Sequence, residues 1–241
     1  MLGRLAGVWE SEAPEPPARF DWRVPGALVL CALVLVFEEY AGDRDVFSTL
    51  FAAHALSPDY ELWSYLWWAA SKLIGYGIVP LVALRIARVP WREAYLGVGD
   101  LRRHLAIYGA IYVCVAPVLL VASWAPTFQA TYPFYRQATR SVADLAIWEL
   151  AYASTFVALE VFFRGVLLGL LRRSLGSYAI FVVAVPYCMI HFGKPVLETI
   201  AAIFAGIVLG TLAMKSRSIW GGVLVHIGVA WTMDALALLR S

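Results

Sequence analysis

Glu160 and Arg164 stand four residues apart inside a long apolar run, in the stretch LEVFFRG at 159–165. A charged side chain at the centre of a bilayer costs roughly 2.5–3.5 kcal/mol even on lenient insertion scales. On a helix the two share one face. Two readings account for them. As structure, they form an ion pair, with Arg164 also tying down neighbouring backbone carbonyls. As chemistry, Glu160 is a general base held and tuned by nearby groups. Both can hold together, with Arg164 structural and Glu160 catalytic.

They are not alone. Glu149, His191, Glu198, His226 and Asp234 also lie in or beside apolar runs, where lipid offers no solvation. A helical rise of about 1.5 Å per residue puts Glu160 roughly 17 Å above the cytoplasmic end of its span and Arg164 roughly 10 Å. His191 and Glu198 come at roughly 21 and 24 Å, His226 and Asp234 at roughly 10 and 22 Å. The hydrocarbon core is about 30 Å thick, so several spans place polar groups in one central slab. Glu149, eleven residues before Glu160, falls on the same face near the outer interface. Pro186 weakens its helix and the FGKP turn at 192–195 ends it, with His191 and Glu198 flanking the break. Broken backbone at membrane depth survives only where protein or a wet cavity surrounds it. Glu198 follows Pro195 in a first helical turn, where the helix dipole favours a carboxylate. Gly221 and Gly222 precede His226 and permit close helix approach. Glu38, Glu39 and Arg44, in EEYAGDR, read as an ordinary outer-interface flank.

The elements that must position these residues are transmembrane helices. The 241-residue chain is 61% hydrophobic and only 15% charged, with a mean hydropathy of +0.73; soluble domains are about 45–50% apolar. Seven runs are long or apolar enough to be candidate spans: 23–40, 62–85, 105–125, 143–171, 177–191, 196–214 and 219–239. The expected fold is all-α, a polytopic helix bundle of about seven spans with a broken or re-entrant region near 192–195. Residues 1–22 read as a cytoplasmic N-terminal segment without a cleaved signal, and 23–241 as one membrane domain whose motif-bearing core is 143–239. Lys and Arg gather on the side that puts the N-terminus in the cytoplasm. The net charge of +2 gives no reason to expect a nucleic-acid partner. Cys31, Cys114 and Cys188 all lie in apolar runs, and an odd number argues against a disulfide framework.

Glu160-x-x-x-Arg164-Gly165, then Tyr187-x-x-x-His191, then SIWGGVLVH ending at His226, resembles the CPBP intramembrane protease family, also called the CAAX-protease and bacteriocin-processing or Abi family. Each motif is weak alone; the three in order, each on its own span, cover about 143–239. Two positions depart from the pattern: Leu159 stands where the family's EExxxR motif has its first Glu, and Ala230 where an Asn follows the last His. Single-Glu forms with FFRG retained look similar to bacterial members, which implies a bacterial inner membrane. HFGKPVLE is similar to a bacterial subgroup that includes the proposed myxosortases, thought to process C-terminal sorting tails of surface proteins.

The resemblance implies an intramembrane endopeptidase acting on membrane-anchored protein or peptide substrates in the lipid bilayer. Glu160 is the expected water-activating base, with His191 and His226 as oxyanion or metal partners and Arg164, Glu198, Asp234 and Glu149 in support. Because Leu159 replaces a motif Glu, Glu198 is an alternative base. Two cofactor states stay open: none, or Zn²⁺ held by Glu160, His191 and His226 with a fourth position open. No HExxH-type pair is present, which tilts the reading to metal-free catalysis. The competing functions are a transporter using a Glu/His/Asp relay and a non-catalytic family member.

Overall fold

The computed structural model describes residues 20–240; most of the expected cytoplasmic segment 1–22 lies outside them. Every regular element among the described residues is helical. In chain order the α-helices are α1 Arg23–Tyr40, α2 Arg44–Leu50, α3 Tyr60–Lys72, α4 Val79–Ile86, α5 Leu101–Ala122, α6 Pro126–Thr131, α7 Val142–Glu160, α8 Leu168–Leu175, α9 Tyr178–Met189, α10 Val196–Ser216 and α11 Trp220–Leu238. Two π-turns, Leu73–Ile78 and Val161–Leu167, join α3 to α4 and α7 to α8. Such turns widen the helix by one residue and often mark functional positions.

Among the described residues, five helical stretches are long and apolar enough to cross a membrane: Tyr60–Ile86, His104–Ala122, Val142–Leu175, Val196–Ser216 and Trp220–Leu238. Arg23–Tyr40 with Arg44–Leu50, bent by 48°, makes a sixth if the pair is one span. The fifth expected span, 177–191, holds a shorter helix: α9 has 12 residues, about 18 Å of helix against a core of about 30 Å. The chain runs through Pro186 but leaves the helix after Met189, and the break before α10 is where the Gly–Pro signal put it. Gly193 there has φ +88°, a conformation that favours glycine.

The described residues fall into two compact units. The first comprises 20–33, Pro80–Gly99 and Val161–Ile219; the second comprises Val34–Val79, Asp100–Glu160 and 220–240. In the first, α9 and α10 pack through small residues: a methyl on Gly206 would lie 3.1 Å from the Tyr187 ring, and one on Gly210 3.1 Å from Ile180. Without a hydrophobic drive between helices in lipid, such close backbone approach is what holds them.

In the second unit, α3 and α7 pack through Leu62, Tyr65, Trp148 and Tyr152, a core that also takes in Tyr135 from the loop before α7. The Trp148 and Tyr152 rings stack at 4.9 Å, and Tyr65 meets Trp148 edge-on at 5.0 Å. Helices α5 and α11 pair through Tyr108 over Gly221 and Tyr112 over Gly228. The Tyr112 hydroxyl lies 2.6 Å from that of Thr232.

Candidate active site

Glu160 is the last residue of α7 and is fully buried, at 0% exposure. Its carboxylate is pressed against α11. Oε1 lies 2.9 Å from Nδ1 of His226, and a methyl on Gly222 would lie 2.5 Å from Oε2. Gly222 and His226 are four residues apart, so one face of α11 offers a bare backbone and then an imidazole. Phe156, one turn before Glu160, lies nearly parallel to the His226 ring, with centroids 5.6 Å apart and planes at 24°. Successive turns of α7 thus fix the plane and the edge of one imidazole.

This pair has defined chemistry. A carboxylate beside Nδ1 favours a proton on that nitrogen, which directs Nε2 away from Glu160. His226 keeps 14% of its side chain exposed against 1% for Glu160, so the imidazole is the more accessible member of the pair. The neutral ring accepts a proton at Nε2, and the carboxylate stabilises the resulting imidazolium.

Asp234, two turns further along α11, is also buried, and its Oδ2 accepts a hydrogen bond of 2.7 Å from Nε1 of Trp148. It therefore fastens α11 to α7. Glu149 is half-buried beside Trp148, and its Oε2 has no hydrogen-bond partner among the described residues. Its backbone carbonyl accepts from Nε1 of Trp231 at 3.2 Å.

Arg164, His191 and Glu198 belong to the other unit. Arg164 is buried, its guanidinium 3.8 Å from the centroid of the Tyr187 ring, a cation–π contact that offsets part of its desolvation. His191 follows Tyr187 by one turn. Its Nδ1 lies 2.8 Å from the Tyr187 carbonyl; a carbonyl only accepts, so Nδ1 carries the proton and neutral His191 has its lone pair on Nε2. The backbone of the break is pinned by Thr199, whose hydroxyl donates to the His191 carbonyl at 2.8 Å. Glu198 pairs with Lys194 at 2.7 Å, both partly exposed.

The structure thus brings together Glu160 and His226, and separately Arg164 and the His191 turn. Sequence reasoning missed Phe156 and Trp148. Phe156 carried a usable signal, since it lies one turn before Glu160; Trp148 carried none until its partner Asp234 was seen. It also missed His104, buried on α5 with its ring 5.8 Å from Tyr108. For zinc, Glu160 and His226 supply two donors, but among the described residues no group of three or more His, Cys, Asp or Glu is arranged to hold a metal ion.

Residues 141–232 match a family model described as Rce1-like, type II CAAX prenyl endopeptidase Rce1-like. That segment contains Glu149, Glu160, Arg164, His191, Glu198 and His226, and ends just before Asp234. Comparison with curated proteins and with solved structures finds no match.

Proposed function

We propose that this chain, whose residues 141–232 match the Rce1-like family model of type II CAAX prenyl endopeptidases, hydrolyses a peptide bond in membrane-anchored protein substrates. The observation that carries the reading is the 2.9 Å contact between Glu160 and His226. A buried carboxylate and an imidazole at that distance form a proton-handling pair on the matched segment.

In this mechanism Glu160 fixes the His226 ring and stabilises the positive charge it gains. His226 Nε2 accepts a proton from water as the oxygen attacks the scissile carbonyl. The same proton passes to the departing amine, so no net proton is consumed and the pair returns to its starting state. His226 is the base in this mechanism and Glu160 orients and stabilises it, a role consistent with the complete burial of Glu160. Arg164 holds the Tyr187 turn from which His191 projects.

The family description favours a substrate with a lipidated C-terminal tail. The HFGKPVLE segment supports the narrower reading of tail processing in exported surface proteins. Reconstituting the chain in vesicles with two anchored reporters, one a prenylated CAAX tail and one a surface-protein tail, separates the two. Terminal-peptide masses before and after incubation give the cleaved bond. The reading expects one tail to be shortened by the parent chain and left intact by Glu160→Gln. Both tails intact with the parent chain would contradict it.

A further inference from the structure

EEYAGDR at 38–44 reads from sequence as an interfacial flank, yet Glu38 is buried, at 5% exposure. Its Oε2 lies 2.9 Å from Nζ of Lys72 and 3.4 Å from the Ser71 hydroxyl. Its Oε1 has no hydrogen-bond partner among the described residues and lies against Gly75, where any side chain would collide with it. The Ser71 hydroxyl also approaches the Gly42 carbonyl at 3.2 Å. Lys72 lies 5.6 and 5.4 Å from the ring centroids of Trp68 and Tyr76. One carboxylate thus grips the last two residues of α3 and the third residue of the π-turn Leu73–Ile78.

The same π-turn touches the helix that carries Glu160. A methyl on Gly77 would lie 3.7 Å from Cβ of Ala158, two residues before Glu160. Helices α3 and α7 run in the same direction, with Tyr65 beside Trp148 and Trp68 beside Tyr152. By helical geometry one further turn leads from Trp68 to Lys72 on α3 and from Tyr152 to Phe156, the residue stacked on His226, on α7. All of these residues belong to the second unit.

We propose that the Glu38–Lys72 pair positions Glu160. It fixes the start of the π-turn, and the π-turn fixes the C-terminal end of α7 against which the imidazole is aligned. A buried ion pair is weak evidence for stability by itself, since replacing both partners with neutral groups is often neutral. This pair is held for geometry. The inference rests on the endopeptidase reading above.

The test compares full-length parent, Glu160→Gln and the double variant E38Q/K72M in vesicles with the cleaved reporter, reading kcat, KM and Tm. Removing both charges together avoids stranding one of them in the membrane. The expected double variant keeps the parental Tm and KM but loses about a hundred-fold in kcat, the scale set by a misplacement of about 1 Å. Parental kcat in a double variant of parental Tm would overturn the positioning role. Should that variant fail to fold, Ser71→Ala is the milder form, expected to lower kcat by less than the double variant's hundred-fold at unchanged KM; unchanged kcat there overturns the role equally. A Glu160→Gln chain that still cleaves overturns the endopeptidase reading and the positioning role with it. An inactive Glu160→Gln beside a fully active E38Q/K72M overturns the positioning role alone.

Discussion

The Nδ1 atom of His226 lies 2.9 Å from Oε1 of Glu160, across the contact between α7 and α11. The two residues are 66 positions apart in sequence. Their meeting depends on Gly222, which leaves α11 bare where the carboxylate rests.

Gly222→Ala therefore puts a methyl 2.5 Å from Glu160 Oε2, and the carboxylate must leave the imidazole or α11 must retreat. The expected result is loss of cleavage with a lowered Tm. Gly109→Ala on α5 is the control, because a methyl there meets nothing within 4 Å. Replacing a helix-interior glycine should raise stability by about 0.5–1 kcal/mol. Thermal melts of the two variants side by side check both signs.

Trp148→Phe removes the donor to the buried Asp234 carboxylate while keeping an aromatic ring. Leaving a buried acceptor without its donor costs about 1–3 kcal/mol, more for a charged group. The Tm of the variant should fall, and the further change Asp234→Leu should recover part of it. A Tm equal to the parent in Trp148→Phe would show that the bond contributes nothing to holding α11 on α7.

Acidification should loosen the first unit near its N-terminal helix. Asp21 accepts a hydrogen bond from the Ser174 hydroxyl and one of 3.0 Å from the Arg23 amide. These bonds, the Ser174 one foremost, hold its carboxyl below the usual carboxylate range. A depressed folded-state value means stability that is present above the unfolded carboxylate pKa of about 3.9 and lost as pH falls through the folded value. Tm measured between pH 6 and pH 3 should drop more for the parent than for Asp21→Asn. Identical profiles would exclude the linkage.

Chelation should leave cleavage intact. Glu160 and His226 offer two donors, and no metal-holding group of three forms among the described residues. Activity after 1,10-phenanthroline treatment, compared before and after adding Zn²⁺ back, checks this. Loss on chelation with recovery on Zn²⁺ would require a ligand set beyond these residues.

Much of this was legible in the chain, and the rest failed for identifiable reasons. Apolar length gave the helices, because a run such as 196–214 must hide its backbone polar groups in lipid. The run at 177–191 gives a helix of 12 residues, Tyr178–Met189, shorter than the run because composition does not say where a helix ends. Glu160 and His226 stood out because ionisable residues are costly in apolar runs. Gly222 was marked as a small residue ahead of His226 and Phe156 by its place one turn before Glu160, whereas Trp148 matters through packing and nothing in its type marks it. Glu38 misled for the opposite reason: its polar neighbours suggested solvent, while its partner Lys72 lies 34 residues away.

The central claim is that Glu160 and His226 act as one proton-handling pair. It is tested by the cleavage rate of an anchored reporter with Glu160→Gln, His226→Ala and the two combined, each checked for parental accumulation in the membrane. A general acid–base contribution predicts that each single change lowers kcat by about a hundred-fold or more, and that the double variant is no slower than the worse single one. Parental rates in Glu160→Gln, or losses that multiply in the double variant, would contradict the account.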